Sequence, residues 1–155
     1  NAIEAAMMTF LARIPVRTTP EVAQLAGASA IVGETLALLT RLAQPGVSTQ
    51  DLDAAAEEHI RRRGGSPSFK GYHGYPASIC ASLNNEVVHG IPSPSRLLHA
   101  GDLLSLDVGV KLNGWHGDAA VTVAVGQVDD ESQRLLAVTQ AKMVAVARTP
   151  AQALD

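Results

Sequence analysis

The sequence predicts an α+β domain, helices packed on one face of an antiparallel sheet. Two helical patterns precede residue 64, a long apolar hairpin runs from Gly101 to Gly126, and one more helical pattern follows. With 155 residues the chain can bury a real core and reads as one domain or a large part of one. Its 46% hydrophobic and 17% charged residues describe a globular chain. A net charge of -3 leaves no electrostatic footprint for nucleic acid or an anionic membrane. Cys80 is the single cysteine, so no internal disulfide forms, which suits a reducing compartment. No apolar run is expected to reach membrane-spanning length and no secretory leader pattern opens the chain, so a cytoplasmic location is expected. Asn1 opens the sequence and Leu154-Asp155 closes it just after a helical pattern, as in an interior piece of a longer protein.

Residues 1–17 mix Ala, Met, Phe and Arg without a period and form an unassigned N-terminal extension; the domain is expected over 18–155. Thr18 and Glu21 fit a capping box, with Pro20 in the first turn. Val22, Leu25, Ala26, Ser29, Val32, Leu36 and Leu39 then follow helical spacing until Pro45-Gly46. Ser48 or Thr49 starts a second helix with Leu52, Ala55, Ala56, His59 and Ile60 on one side. Arg61, Arg62 and Arg63 face the negative end of its dipole, and Gly64 stops it. Gly65 to Tyr75 reads as loop and Ala77 to Leu83 as a strand. An Asn84-Asn85 turn and a short Val87-Val88 strand lead into His89-Gly90-Ile91-Pro92, then a Ser93-Pro94-Ser95 loop. Asp129 or Asp130 caps the last helix, whose apolar face is Leu135, Leu136, Thr139, Met143 and Val146.

The hairpin is the informative stretch. Asn113-Gly114 is the strongest short-range hairpin signal, and each arm carries one acid among apolar residues, Asp107 and Asp118. A two-residue loop makes Asp107 face Ala120 and Asp118 face Gly109, so both acids project from one face as diagonal neighbours. Two such carboxylates repel and lose hydration, so they stay ionised only if a cation or strong donors compensate. Periodicity leaves two readings open: acids that cap a turn or pair with an Arg, or hard oxygen ligands for divalent metal. Of the five histidines, His59 reads as a surface or packing residue and His99 as solvated. His73 sits in a Gly-flanked loop. His116 shares the face of Asp118 as a ligand or an outer donor, and His89 has its backbone fixed by Gly90-Ile91-Pro92.

Tyr72-His73-Gly74-Tyr75-Pro76, Ser78-Ile79-Cys80-Ala81-Ser82-Leu83-Asn84, Val87-Val88-His89-Gly90-Ile91-Pro92, Asp107-Val108-Gly109 and Gly114-Trp115-His116-Gly117-Asp118 occur in that order. In order and spacing they resemble the methionine aminopeptidases, and the HGIP element resembles the type I, bacterial-like enzymes. The resemblance runs from about Thr19 to about Arg148. It implies the N-terminal half of a pita-bread (creatinase/aminopeptidase-like) fold, two similar α/β halves around a dimetal site. It implies a metal-dependent hydrolase that removes the initiator methionine from nascent proteins, with Asp107 chelating one metal and Asp118 bridging both. Metals about 3.5–4 Å apart polarise a scissile carbonyl and activate a shared water. His89 resembles the catalytic, substrate-binding histidine. Tyr72, Tyr75, Cys80 and Phe69 match the wall around the methionine side chain, where a soft thioether suits apolar surroundings.

Two divalent ions (Co, Mn, Fe or Zn) are implied for the complete site. The implied partners are nascent polypeptides with N-terminal Met, with the ribosome among them, and neither nucleic acid nor membrane; the enzyme is expected to be a monomer. The family's remaining ligands, one histidine and two glutamates, and a second substrate histidine come from its C-terminal half. Nothing after Asp118 here supplies them, so this chain alone is expected to be inactive. The alternatives are a catalytically inactive pita-bread binding module or truncated product, and a related prolyl-peptide or creatinase-like enzyme.

Overall fold

The computed structural model describes residues 16–147, with side chains as far as 144. The expected extension therefore lies outside the described residues except for Val16 and Arg17, as do 148–155 and the side chain of Val146.

Helix α1 (Thr19–Leu42) opens on the expected capping box. The Thr18 amide and hydroxyl both donate to Glu21 Oε2 at 2.8 Å. Helix α2 (Thr49–Arg62) is capped in the same way by Ser48 and Asp51. Local chemistry sets both starts, because these side chains satisfy amides that the first turn leaves without partners. Gly64 follows α2 at a positive φ of 78°.

The sheet is built on β3 (Leu103–Leu112) and β4 (Trp115–Ala124), ten residues each and paired along their whole length. Strands β1 (Ser66–Pro67) and β2 (Ile79–Leu83) both pair antiparallel with β3. Since β4 occupies one edge of β3 throughout, β1 and β2 share the other edge, one beyond the other. The chain between them, including a 3₁₀ turn at Tyr72–Gly74, leaves that edge and returns to it. Leu104, Leu106, Val108 and Val110 point to the helices and are fully buried with Ile79, Ala81, Val32, Leu39, Leu52 and Ile60. The opposite face carries Cys80, Ser82, Ser105, Asp107, Asp118, Ala120 and Thr122, by strand alternation and the observed register.

Several expectations are corrected. The buried stripe of α1 is Ala28, Ile31, Val32, Thr35 and Leu39, while Val22, Ala26 and Ser29 are exposed. The helix crosses β4 where Gly117 has no side chain, and that crossing selects the stripe: a Cβ at Gly117 would lie 2.6 Å from the Ser29 amide nitrogen. Contrary to expectation, α1 is long and apolar enough to cross a membrane by length and composition. Its stripe instead packs on β3 and β4, as a core helix does. The 65–75 stretch is not loop alone, since it holds β1 and the 3₁₀ turn.

Strand β2 begins at Ile79, not Ala77, because the Ser78 and Ile79 amides donate to Asp53 Oδ1 at 2.7 and 3.0 Å. Val87-Val88 forms no strand: the two residues are 89% and 62% exposed, and beyond the Glu86 turn the chain meets β2 at Gly90, where the Ala81 amide donates to its carbonyl at 2.9 Å. The last helix, α3 (Asp130–Ala147), follows Asp129, which accepts from the Ser132 amide at 2.7 Å. It does not join α1 and α2 in the core. It packs on β4, and Leu135, Leu136, Thr139 and Met143 border a groove over the open sheet face.

Adding a methyl group at Gly117 forces strand and helix backbones apart, and neither is a flexible side-chain end. Gly117→Ala is expected to lower unfolding stability by about 1–3 kcal/mol, read as an earlier urea midpoint at unchanged slope.

Candidate metal centre

The β3–β4 turn is the expected two-residue loop, with Asn113 and Gly114 at φ 51° and 85°. Both central residues of a type I′ turn need positive φ, which Asn-Gly adopts at low cost. The resulting register pairs Asp107 with Ala120 and Asp118 with Gly109. Both acids therefore rise from the open face, diagonal to each other. Asp107 is half-buried, with Cys80 beside it on β2. Among the described residues neither carboxylate takes part in an ion pair or accepts a side-chain hydrogen bond. Both lie inside strands, which removes the turn-cap reading, and among the described residues no Arg pairs with them.

Burial pushes the Asp107 carboxyl above its ordinary range, and the neighbouring Asp118 charge pushes it further. The nearby His89 side chain opposes the shift. The donor set is thus a pair of hard oxygen ligands short of positive charge, which fits a divalent cation. Among the described residues no cluster of three or more His, Cys, Asp or Glu surrounds them.

The half-buried Asp107 and the exposed Asp118 both line a cavity of about 630 Å³. Phe69, Tyr72, Tyr75, Cys80 and His89, all singled out from the sequence, line it together with Asp107 and Asp118. Its wall exists because the chain swings away from the β3 edge between β1 and β2. The Phe69 ring rests on Gly109, where a Cβ would come within 2.6 Å of the ring. The Ser68 amide fastens the loop by donating to the Gly109 carbonyl at 2.8 Å. Tyr72 is exposed at the rim and meets His73 edge-to-face at 4.3 Å. The Tyr75 hydroxyl donates to the Ile79 carbonyl at 2.9 Å and the Gly90 carbonyl at 3.3 Å. Burial raises the pKa of Tyr75 and of the Cys80 thiol, so both present neutral surfaces at neutral pH. Cys80 acts here as a small apolar wall residue rather than a thiolate.

The other histidines separate. His116 shares the face of Asp118, but its Nδ1 meets Ser68 Oγ at 2.9 Å and it does not line the cavity. His59 lies 3.4 Å from Glu34, and the exposed His99 lies 3.7 Å from Asp102, both away from the site. His73 does line the cavity and was not selected from the sequence, nor were Pro76 and Ile91. Asp53 and Glu57 were missed too. Asp53 is 4% exposed and holds the start of β2, despite burial that raises its pKa. Its place beside Leu52 on the inner face of α2 was the available signal, since a buried acid needs partners. Glu57 accepts from Lys70 at 2.6 Å, Arg61 at 2.7 Å and Ser78 Oγ at 3.1 Å, tying both ends of the wall loop to α2. These donors lower its pKa from 4.5 to about 2.

Comparison with known proteins gives the family. The model for metallopeptidase family M24 matches residues 23–150. A methionine aminopeptidase of Clostridium acetobutylicum is 50% identical over 127 residues, covering 82% of this chain and 51% of that protein. Methionine aminopeptidase 1 of Mycobacterium tuberculosis is 48% identical over 132 residues, covering 85% and 50%. The crystal structure of a methionine aminopeptidase from Thermotoga maritima superposes with a TM-score of 0.80 at 35% identity, covering 82% of this chain and 51% of that one. The chain spans about half the length of the curated relatives it matches.

Two outcomes follow from the electrostatics. Removing one of two uncompensated charges relieves repulsion, so Asp107→Asn is expected to raise the melting temperature in chelator and abolish the further rise that Mn²⁺ gives the unsubstituted protein. Glu57 has a folded-state pKa below its unfolded value, so its stabilisation is complete above about pH 4.5 and fades as pH falls towards 2. The stability advantage over Glu57→Gln, followed by urea melts across that window, is expected to shrink to nothing at the acid end.

Proposed function

The chain belongs to metallopeptidase family M24, and on that footing we propose that it carries the N-terminal part of the active site of a methionine aminopeptidase. The complete protein removes the initiator methionine from nascent chains in the cytoplasm. The observation that carries the reading is that Asp107, Asp118, His89 and the side chains of Phe69, Tyr72, Tyr75 and Cys80 all line one cavity. Its fold is the matching half of the pita-bread enzymes.

In this proposal Asp107 and Asp118 hold divalent cations, and the remaining ligands come from the part of the relatives' length that this chain does not span. Such ions act as Lewis acids on a peptide carbonyl and lower the pKa of water. The chain's own residues bind and orient. An N-terminal methionine side chain enters between Phe69, Tyr72, Tyr75 and Cys80, where the soft thioether meets aromatic rings and a neutral sulfur. That seat places the first peptide bond over the carboxylates. His89, at the cavity edge, hydrogen-bonds the amide being cleaved, and its fixed backbone restricts the approach to one geometry. The pair of acids without a partner also weighs against a non-catalytic binding module, because such a protein keeps the electrostatic cost with no ligand to offset it.

The test uses the complete protein with Mn²⁺ or Co²⁺ and a peptide beginning with methionine. Hydrolysis is expected to release free methionine, Asp118→Asn to remove it, and His89→Ala to lower kcat about 100-fold. Turnover unaffected by Asp118→Asn would overturn the proposal.

A further inference from the structure

The sequence brought a lone histidine, His89, to the site in a segment with almost no secondary structure to hold it. Val87 and Val88 on one side are exposed, as is Ile91 on the other. His89 itself sits at a positive φ of 61°, a conformation uncommon for a side-chain-bearing residue. A residue in that state keeps one orientation only if its surroundings impose it. The Ile91 carbonyl accepts from Arg96 Nη1 at 2.9 Å, and the anchoring to β2 falls on Gly90. Gly90 is buried against β2 so closely that a Cβ would lie 2.4 Å from the Ala81 carbonyl oxygen.

Both polar groups of Gly90 are met. Its carbonyl accepts from the Ala81 amide at 2.9 Å and from the Tyr75 hydroxyl at 3.3 Å. Its amide donates not to a strand carbonyl, as a regular ladder would have it, but to Ser82 Oγ at 3.0 Å. Ser82 is 4% exposed and lies on the face that carries Asp107 and Cys80. A hydroxyl on that face reaches the amide of the residue following His89 and thereby fixes the peptide plane between them.

We propose that Ser82 is a positioning residue for His89: its hydroxyl, with that of Tyr75, clamps Gly90 to β2 and so sets where the imidazole stands over the carboxylates. This rests on the peptidase reading for its kinetic consequence but not for its structural one. The clamp also accounts for the missing Val87-Val88 strand. Between Val87 and Ile91, pairing with β2 is confined to Gly90, because the Ser82 side chain takes the amide that would have continued a ladder.

The experiment compares Ser82→Ala, Ser82→Thr, His89→Ala and the double variant Ser82→Ala/His89→Ala in the complete protein. Ser82→Ala is expected to lower kcat about 10–100-fold with KM little changed, because the wall of the pocket is intact while the histidine is displaced. Ser82→Thr keeps the acceptor and is expected to recover most of that loss. In the His89→Ala background, Ser82→Ala should cost less than about twofold more, since two residues acting through one group are not additive. Amide exchange at Gly90, which needs no turnover, should speed up at least about tenfold in Ser82→Ala and stay slow in Ser82→Thr. Losses that multiply in the double variant, or Gly90 exchange unchanged by Ser82→Ala, would overturn the clamp. If Ser82→Ala does not fold, Ser82→Cys, a weaker acceptor of similar shape, should give intermediate exchange and intermediate kcat, and wild-type values for both would overturn it equally. A complete protein without methionine-releasing activity would instead sink the peptidase reading and leave the exchange result to decide the clamp.

Discussion

The pairing register of β3 with β4 decides whether this molecule has a site at all. Side chains alternate along a strand, so a slip of one residue would turn one strand's acid into the helix-packed core and leave the other outside. Three features hold the register. The Asn113-Gly114 turn admits only a two-residue loop at the positive φ values observed. Gly117 seats the backbone of α1 on β4 at a single position along the strand. The Arg17 guanidinium lies 5.3 Å from the Trp115 ring centre, beside the turn. Together they hold two carboxylates of like charge on one face with no ion-pair partner among the described residues. A fold selected for stability alone would place an apolar pair there, as at Leu104 and Val123 on the opposite face. In the proposed function, that arrangement trades stability for the capacity to hold a cation.

A second constraint is the divided edge of β3. Because β1 and β2 share that edge, the residues between them must leave the sheet and come back, and this excursion is the wall of the cavity. Gly109 lies at the division, unpaired with either short strand, so the Phe69 ring can rest where a side chain would otherwise stand. Helix α2 supplies the foundation. Asp53 takes the two amides at the start of β2, and Glu57 takes Lys70 and Ser78 from the two ends of the excursion. Sheet, loop and helix thus converge on one cavity, and both acids sit on strands held by packing and by these polar ties.

What was legible in the sequence was local. Thr18 with Glu21, Ser48 with Asp51, and Asn113-Gly114 each encode a turn of chain within four residues, and each appears where expected. The facing of Asp107 and Asp118 was legible too, since it follows from strand alternation once the loop length is known. The order of the motifs anticipated which side chains meet in the cavity. What was not legible depends on partners far along the chain. The stripe of α1 that becomes buried is chosen by Gly117, nearly ninety residues away, and helical spacing alone allowed another. Val87-Val88 has strand propensity, but β2 bonds to the residues around them, Glu86 and Gly90, and to neither valine. Asp53 and Ser82 look like ordinary polar residues until the backbone amides they satisfy are in place.

The central claim is that Asp107 and Asp118 jointly hold a divalent cation in the complete protein. The most direct measurement is a crystal structure of that protein grown with Mn²⁺, with data collected at the manganese absorption edge. The account predicts an anomalous peak within direct coordination distance of carboxylate oxygens of both aspartates. A fully occupied manganese site elsewhere, with neither aspartate touching an ion, would contradict it.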